Sequence, residues 1–143
     1  MAWSPDSKRL ATAGVGGNVK VWDAAGGREL LTMRGHSSSV GSVVWNPDGT
    51  RLATASWDGT TKVWDVASGK ELLTLRGHTG KAKSVAWSPD GKRLATASED
   101  GTVQIYLMDV RELLSLARKR VTRNFTPDEC ELYLQSRTCP VLP

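Results

Sequence analysis

The sequence predicts an all-β fold made of repeated, four-stranded antiparallel sheets, followed by a short α-helical tail. Three observations predict this fold. A unit of 42 residues recurs along the chain, each unit divides into short strands separated by tight turns, and the apolar residues follow a helical period after residue 107. Repeats of a constant period indicate modules that stack on one another and bury a shared core.

The repeat covers most of the chain. The segments AWSPDSKRLATAG, VWNPDGTRLATAS and AWSPDGKRLATAS begin at residues 2, 44 and 86 and align without gaps. The second half of the unit also recurs, as VKVWD, TKVWD and VQIY, and RGH precedes the second and third units. A period of about 40 residues with Gly-His and Trp-Asp marks is typical of the blades of a β-propeller.

Within the second unit we predict four strands. Short runs rich in Val, Leu, Thr and Trp alternate with NPDG, WDG and ASGK, and Asp-Gly favours a hairpin turn. Gly59 and its counterpart Gly101 supply the positive φ that such a turn requires. The predicted strands span about 40–46, 51–56, 61–65 and 70–75.

These motifs resemble those of the WD-repeat β-propeller family over roughly residues 2–107. The resemblance implies blades of four-stranded antiparallel sheets, about three in number and therefore an incomplete ring. We expect a partial blade over 1–34, a complete blade over 35–76, a blade without its last strand over 77–107, and the helical tail over 108–143.

The resemblance also implies a buried hydrogen-bonded set in each blade, formed by the His of Gly-His, a Ser or Thr, the turn Asp and a strand Trp. In the second unit the matching residues are His36, Ser56, Asp58 and Trp64. A buried carboxylate requires partners, and imidazole and indole N–H groups can supply them. We therefore expect this set to have a structural role.

The first and third units depart from that pattern. The third unit holds His78, Ser98 and Asp100 but has Tyr106 in place of Trp. The first unit has glycines in place of the Ser and the Asp and no preceding Gly-His, so that Trp22 alone remains of its set. We expect a complete set only in the second blade.

Trp57 is the leading candidate for contact with a partner. It precedes the turn Asp, at a position that holds Val15 in the first unit and Glu99 in the third, so the core does not constrain this position. The resemblance places it on the face where partners bind, and exposed Trp is a frequent interface anchor. Glu99, Ser38 and Lys81 complete the candidate set. The alternative is a surface Trp that stacks over the neighbouring loop.

The sequence predicts no catalytic, cofactor or metal site. The two His lie a full repeat apart, each assigned to its own blade, so they form no metal-binding set. GHSSS lacks the G-x-S-x-G frame of a nucleophile, and GVGG aligns with a turn instead of opening a helix as a dinucleotide loop does. Catalysis at the central channel of a propeller is kept as a third hypothesis, which a hydrolase screen would test.

Charge and hydropathy are those of a soluble globular domain. The net charge is +4 and is spread over turns and strands, which indicates a solvated surface and argues against nucleic acid as a partner. No apolar run approaches the roughly 18 residues of a membrane-spanning helix, and the start of the sequence has no signal-peptide pattern. We expect a cytoplasmic protein with no membrane partner.

Three blades leave a propeller ring incomplete, because each blade must pack both of its apolar faces on neighbours. Two compatible explanations are open. The chain is the C-terminal piece of a longer propeller, as its start in mid-strand suggests, with upstream blades missing. Alternatively it is a homo-oligomer, in which two copies give about six blades and three copies about nine.

After residue 107 the sequence predicts two short helices. DVRELLSLARKRV has a capping Asp and an apolar stripe, and TPDECELYLQ begins with a Thr cap and a first-turn Pro. The tail is similar to the ends of bacterial WD-repeat arrays. Covering the third blade and docking another protein are both open functions. Cys130 and Cys139 allow one disulfide, although the absence of other cysteines and of a secretion signal favours free thiols.

We therefore expect a non-catalytic interaction module. The resemblance implies a scaffold or a ligand-sensing propeller segment, as part of a larger regulatory protein or of a self-assembling oligomer. The sequence does not identify the protein partner. The alternative is a purely structural, self-assembling propeller fragment with no outside ligand.

Overall fold

A computed structural model of the chain describes residues 1–109. Within this part, Met1–Met108 form one compact unit. The predicted helical tail from residue 110 onward, with Cys130 and Cys139, lies outside the described residues.

The described residues form three antiparallel sheets in which strands adjacent in sequence pair side by side. The first sheet contains β1 (Ala2–Trp3), β2 (Arg9–Ala13), β3 (Val19–Asp23) and β4 (Glu29–Met33). The second contains β5 (Val40–Trp45), β6 (Arg51–Ser56), β7 (Thr61–Asp65) and β8 (Glu71–Leu75). The third contains β9 (Ala82–Trp87), β10 (Arg93–Ser98) and β11 (Val103–Leu107). The prediction of an all-β chain built from sheets of this kind is confirmed for these residues.

Asp side chains and glycines close the turns between the strands. Between β6 and β7, the Thr60 backbone N–H donates to Asp58 Oδ1 at 2.9 Å, and the Gly59 N–H donates to the Ser56 carbonyl oxygen at 3.1 Å. Gly59 has a φ of 83°, a conformation that costs a residue with a side chain about 1–3 kcal/mol. Asp-Gly pairs therefore mark the reversals between β5 and β6, β6 and β7, β9 and β10, and β10 and β11.

The strands β5 and β9 each contain a β-bulge near their start. In β5 the register shifts between Val40 and Ser42, which leaves Gly41 outside the ladder. In β9 the same irregularity leaves Lys83 outside the ladder. A bulge redirects a side chain away from the regular alternation of a strand, and both bulges lie at the end of the blades that carries Trp57.

The three sheets pack face to face in chain order. β5 contacts β1 and β2 of the first blade, and β9 contacts β5 and β6 of the second. The buried core between the first and second blades consists of Ala11, Val19, Val21, Met33, Val40, Val43, Trp45, Leu52, Trp64 and Val66. The core between the second and third blades consists of Ala53, Ala55, Val63, Ala82, Val85 and Leu94. The second blade therefore buries both of its faces.

Candidate functional site

A chain of hydrogen bonds lies buried in the second blade, between the strand Trp and the turn Asp. The Trp64 indole N–H donates to the Thr54 hydroxyl at 2.9 Å, and this hydroxyl lies 2.7 Å from His36 Nε2. His36 Nδ1 lies 2.9 Å from Asp58 Oδ2. A neutral imidazole protonated on Nδ1 satisfies every member, because Thr54 then donates to Nε2 and Nδ1 donates to the carboxylate.

The environment of this chain favours a neutral His and an ionised Asp. Burial lowers the pKa of His36, although the hydrogen bond to Asp58 acts in the opposite direction. Burial raises the pKa of Asp58, but the hydrogen bonds that its carboxylate accepts, foremost from Thr60 and His36, outweigh burial and lower this pKa to about 2. The His36 side chain is 0% exposed and both ring nitrogens have partners, so this His–Asp pair holds a loop to the sheet.

The hydroxyl at the centre of this chain belongs to Thr54, where the sequence analysis expected Ser56. The Ser56 hydroxyl instead donates to the Ser39 carbonyl oxygen at 3.0 Å. Both residues lie on the same face of β6, because strand side chains alternate. The register pairs Trp64 with Leu52, so the hydroxyl two residues along, on Thr54, reaches the indole. Ser56 lies farther on, at the end of the strand.

The third blade repeats the His–Asp half of this arrangement. His78 Nε2 lies 2.8 Å from Thr96 Oγ1, and His78 Nδ1 lies 3.3 Å from Asp100 Oδ2. Hydrogen bonds, foremost from the Thr102 hydroxyl, hold the pKa of Asp100 well below its usual range. Ser98 accepts a hydrogen bond from the Asp100 N–H at 3.2 Å, so the hydroxyl beside His78 again belongs to a Thr and not to the expected Ser.

Tyr106 changes the other half of the third blade's arrangement. Its hydroxyl donates to the Gln104 side chain and lies 3.4 Å from the Arg76 carbonyl oxygen. Burial raises the pKa of Tyr106. A phenol stands where the second blade has an indole, and a hydrogen bond with Thr96, the counterpart of Thr54, lowers the pKa of Tyr106 against the effect of burial.

The first blade retains more of the set than the sequence analysis predicted. The Trp22 indole N–H donates to the Thr12 hydroxyl at 2.8 Å, as Trp64 does to Thr54. The prediction placed the hydroxyl at position 14, two residues beyond Thr12, where the chain has Gly. A Thr on the second strand is therefore common to all three blades.

Trp57 lies on the surface with two lysines of the next blade. It is 45% exposed. Lys81 Nζ and Lys83 Nζ lie 5.2 and 5.1 Å from the centroid of the Trp57 ring, which is within the range of cation–π attraction. Glu99 Oε1 lies 3.4 Å from Lys83 Nζ, and Glu99 Oε2 lies 3.7 Å from Lys81 Nζ. We call these four residues the Trp57 surface.

The two β-bulges allow this surface to form. A Cβ atom at Gly41 would lie 3.2 Å from Trp57 Nε1, so the missing side chain lets the indole lie against β5. In β9 the bulge residue is Lys83, which lies beside the ring. Trp57, Lys81 and Glu99 were predicted from the sequence, whereas Lys83 was not. The available signal was the spacing in GKAKS, which places two lysines at alternate positions at the start of a strand.

Ser38, the remaining partner candidate, is half-buried. Its carbonyl oxygen accepts a hydrogen bond from the Ser56 hydroxyl at 3.3 Å and would lie 3.1 Å from a Cβ atom at Gly17 of the first blade. The next residue, Ser39, accepts a hydrogen bond from the Trp57 backbone N–H at 2.9 Å. The described contacts of Ser38 therefore support the loop beneath Trp57.

The Trp57 surface offers an aromatic ring and two ammonium groups to a ligand. The side chains of its two ion pairs are 43–50% exposed, and exposed pairs of this kind contribute only about 0–1 kcal/mol. A carboxylate from outside can therefore replace Glu99 at little cost. Within residues 1–109, no group of three His, Cys, Asp or Glu side chains could hold a metal ion. This part of the chain also contains no helix that is long and apolar enough to cross a membrane.

Comparison with known proteins agrees with the repeat. Over 42 residues, or 29% of this chain, the sequence is 55% identical to an uncharacterised WD repeat-containing protein of Nostoc sp. (strain PCC 7120). The match spans only 3% of that relative's length. The family model described as "WD domain, G-beta repeat" matches residues 1–23, 27–65 and 69–106, which together make up more than half of the chain. The chain therefore belongs to the WD-repeat family.

Proposed function

We propose that this chain is a protein-interaction segment that binds its partner through the Trp57 surface. WD repeats generally mediate protein–protein interaction. The observation that carries the proposal is an exposed Trp flanked by two lysines of the neighbouring blade. Trp is among the residues that most often dominate binding energy at an interface.

The chemistry of this surface suggests the kind of segment that it binds. The Trp57 ring can cover an apolar or aromatic side chain, and the two ammonium groups can pair with a carboxylate. Because Glu99 already pairs weakly with both lysines, an acidic residue of the partner needs only to displace it. We therefore propose a partner segment in which an acidic residue lies next to an apolar residue.

The buried network beneath Trp57 supports this role. Trp57 directly precedes Asp58. The Asp58 carboxylate accepts hydrogen bonds from Thr60 and lies 2.9 Å from His36 Nδ1. The Trp57 N–H is held by the Ser39 carbonyl oxygen. A surface that is ordered before binding loses less conformational entropy when the partner arrives.

The test is selection of short peptides from a displayed random library against the immobilised 143-residue chain. We expect enriched peptides to contain an acidic residue beside an apolar one. Affinities of the enriched peptides would then be measured by isothermal titration calorimetry for the wild type and for Trp57→Ala. Loss of an interface hot spot corresponds to a drop of at least about thirtyfold in affinity.

Leu72→Ala is the matched control, because Leu72 is 47% exposed but lies on β8, outside the Trp57 surface. This variant should bind the peptides as the wild type does. Peptides that bind Trp57→Ala as tightly as the wild type would contradict the proposal, and so would a selection that enriches no peptide.

A second candidate function is purely structural self-assembly without an outside ligand. Large apolar side chains at both ends of the stack of blades are exposed, among them Trp3 at 60% and Ile105 at 69%, and monomers rarely leave such faces uncovered. We further propose that the segment acts as a scaffold or a ligand sensor in a larger cytoplasmic regulatory protein. The small share of the Nostoc relative that matches is consistent with blades set within a much longer chain.

A further inference from the structure

Each blade has two chemically different faces. One face, which we call the small face, carries Ala and short branched side chains. In the first blade it consists of Ala11, Ala13, Val19 and Val21. The other face, which we call the Trp face, carries larger side chains around the Thr that recurs in β2, β6 and β10. In the second blade it consists of Trp45, Leu52, Thr54 and Trp64.

The described chain joins these two faces twice. The small face of the first blade packs on the Trp face of the second, in one buried cluster that contains Val21, Leu52 and Trp64. The small face of the second blade packs on the third blade's Trp face, where Val63 and Leu94 share a cluster. The residues at the two junctions are related by the 42-residue repeat, so the same type of contact is made both times.

The same two faces are left uncovered at the ends of the stack. On the Trp face of the first blade, Trp3 is 60% exposed and lines an open groove of about 310 Å³ with Leu10 and Trp22. On the small face of the third blade, Val103 and Ile105 are 67% and 69% exposed. The chain thus carries, at opposite ends, the two halves of a junction that it already forms internally.

The 42-residue repeat allows each residue of the uncovered small face to be compared with its counterpart at the internal junction. Val103 and Ile105 occupy the positions of Thr61 and Val63, which are 2% and 0% exposed at the internal junction. Ala95 likewise occupies the position of Ala53, which is also 0% exposed.

The uncovered small face also carries Ser84, which pairs with Ala97 in the ladder. Its counterpart Ser42 accepts a hydrogen bond from the Val85 backbone N–H at 3.4 Å at the second junction, so a hydroxyl at this position is compatible with the contact.

We propose that a second copy of this chain covers the uncovered small face, docking the Trp face of its first blade on the third blade of its neighbour. The contact is head to tail, and such contacts close into a ring when the rotation allows it. Two copies contribute about six blades, which is within the range of about four to eight that propellers use. The proposal deepens the second candidate function and does not depend on the Trp57 surface.

One polar contact of the first internal junction has an equivalent between copies. At the first internal junction, the Trp45 indole N–H donates to the Ala2 carbonyl oxygen at 3.0 Å. The second internal junction lacks this contact, because the Trp87 indole nitrogen has no hydrogen-bond partner among the described residues. The equivalent pair between copies is the Trp3 indole N–H and the Ala86 carbonyl oxygen of the second copy. Both Trp3 and Ala86 are exposed in the single chain, so both are open to this contact.

The composition of the chain favours a second copy over its own C-terminal segment as the occupant. Each internal junction uses Trp side chains on one side, namely Trp45 and Trp64 at the first and Trp87 at the second. All six Trp of the chain precede residue 88, so residues 110–143 contain none. Within the described chain, only the Trp face of a first blade can therefore pack on the small face of the third blade as the Trp faces do at the internal junctions.

The test is solution mass by light scattering during size-exclusion chromatography of the full 143-residue chain. We expect twice the monomer mass of 15.5 kDa. Trp3→Asp and Ile105→Asp each place a carboxylate in the proposed junction, which should weaken association by at least about a hundredfold and yield monomers. Both residues are exposed in the single chain, so circular dichroism should show that both variants remain folded.

Mixing the two variants provides the sharpest measurement. Trp3→Asp retains an intact small face and Ile105→Asp retains an intact Trp face, so the mixture should form a dimer that neither variant forms alone. Val15→Asp is the control, because Val15 is 96% exposed but lies in a turn outside both faces, and it should keep the wild-type mass. Trp57→Ala should also keep that mass.

A wild-type chain that stays monomeric at all concentrations would overturn the proposal, as expected if residues 110–143 cover the small face. An assembly whose mass neither variant changes would also overturn it, because association would then use another surface. If Val15→Asp dissociates the assembly as fully as Ile105→Asp does, the assignment to the blade faces is wrong.

Discussion

The second and third blades have almost the same sequence but differ in how far they are enclosed. The segment RLATAS is identical in β6 and β10, yet five of its six residues are buried in β6 and two in β10. The second blade has a neighbour on each face, whereas the third has one described neighbour. Burial in this molecule therefore depends on the position of a blade in the stack more than on its local sequence.

The two blades also differ at the last member of the hydrogen-bonded set. Trp64 is 1% exposed and donates to Thr54, whereas Tyr106 is half-buried and its hydroxyl lies beside Gln104. A substitution of one aromatic residue for another thus changes which side chains are linked. The comparison predicts that equal changes in the two blades have unequal effects.

The largest expected effect is the loss of the strand aromatic. Trp64→Ala removes a fully buried side chain and leaves Thr54 without its donor, so we expect a loss of about 3–5 kcal/mol in the free energy of unfolding. Tyr106→Ala removes a half-buried ring and should cost about 1–2 kcal/mol. Urea unfolding at one protein concentration measures both, and equal losses would contradict the proposed difference between the blades.

Acid should weaken the second blade through His36. Its pKa is lowered from the ordinary value of 6.5, so the unfolded chain binds the proton more readily than the folded chain. The stability that the neutral His contributes is present above pH 6.5 and is lost as the pH falls below that value. Between about pH 7.5 and 5.5 the loss should be at most about 1.4 kcal/mol, which is the limit for a His that stays neutral in the folded chain.

The control for this pH dependence is His36→Gln, whose side chain does not titrate. Urea unfolding at the two pH values should show a smaller loss in this variant than in the wild type. Asp58 does not contribute in this window, because its pKa of about 2 keeps it ionised. If the variant and the wild type lose the same stability, the pH dependence arises elsewhere.

The smallest expected effect comes from restoring the complete set in the third blade. In the second blade a Cβ at Gly35 would meet the Trp64 ring at 3.1 Å, whereas at the equivalent Gly77 it would meet the Gln104 amide. The Gln therefore occupies space that an indole would need. The double variant Gln104→Lys, Tyr106→Trp places Lys and Trp at the positions that Lys62 and Trp64 occupy in the second blade and should add about 0.5–1 kcal/mol.

Two single variants separate the contributions of the two substitutions to the stability of the double variant. Tyr106→Trp alone should gain less than the double variant, because Gln104 still fills the space beside Gly77. Gln104→Lys alone should have little effect or a small cost, because Tyr106 then loses the acceptor of its hydroxyl. A double variant no more stable than the wild type in urea unfolding would show that Thr96 does not accept an indole donor.

The strands could be predicted from the sequence because each boundary has a local chemical cause. Asp-Gly turns and Val-rich runs placed β6 and β7 at their observed residues, and the other two strands of that blade within one residue. The role of Thr54 could not be predicted in the same way. Thr54 and Ser56 share a face of one strand, and only the cross-strand register, which pairs Trp64 with Leu52, decides which hydroxyl reaches the indole.

The Trp57 surface could be predicted only in part. The position of Trp57 followed from comparison of the three units, because a site that holds Val, Trp or Glu is not part of the core. Its two lysines belong to the next blade, and their approach depends on the packing between blades and on two β-bulges. Local sequence patterns do not encode such contacts, since they contain no information about which loops meet across a junction.

The enclosure of the second blade on both faces also has a consequence for local unfolding. In stacked repeats each unit is stabilised by its immediate neighbours, so a unit with two neighbours opens less often than a terminal unit. The amide hydrogens of β6 and β7 should therefore exchange with solvent most slowly, and those of β1 and β11 most rapidly. A second copy that docks at the ends would slow exchange in the terminal strands and leave the central strands nearly unchanged.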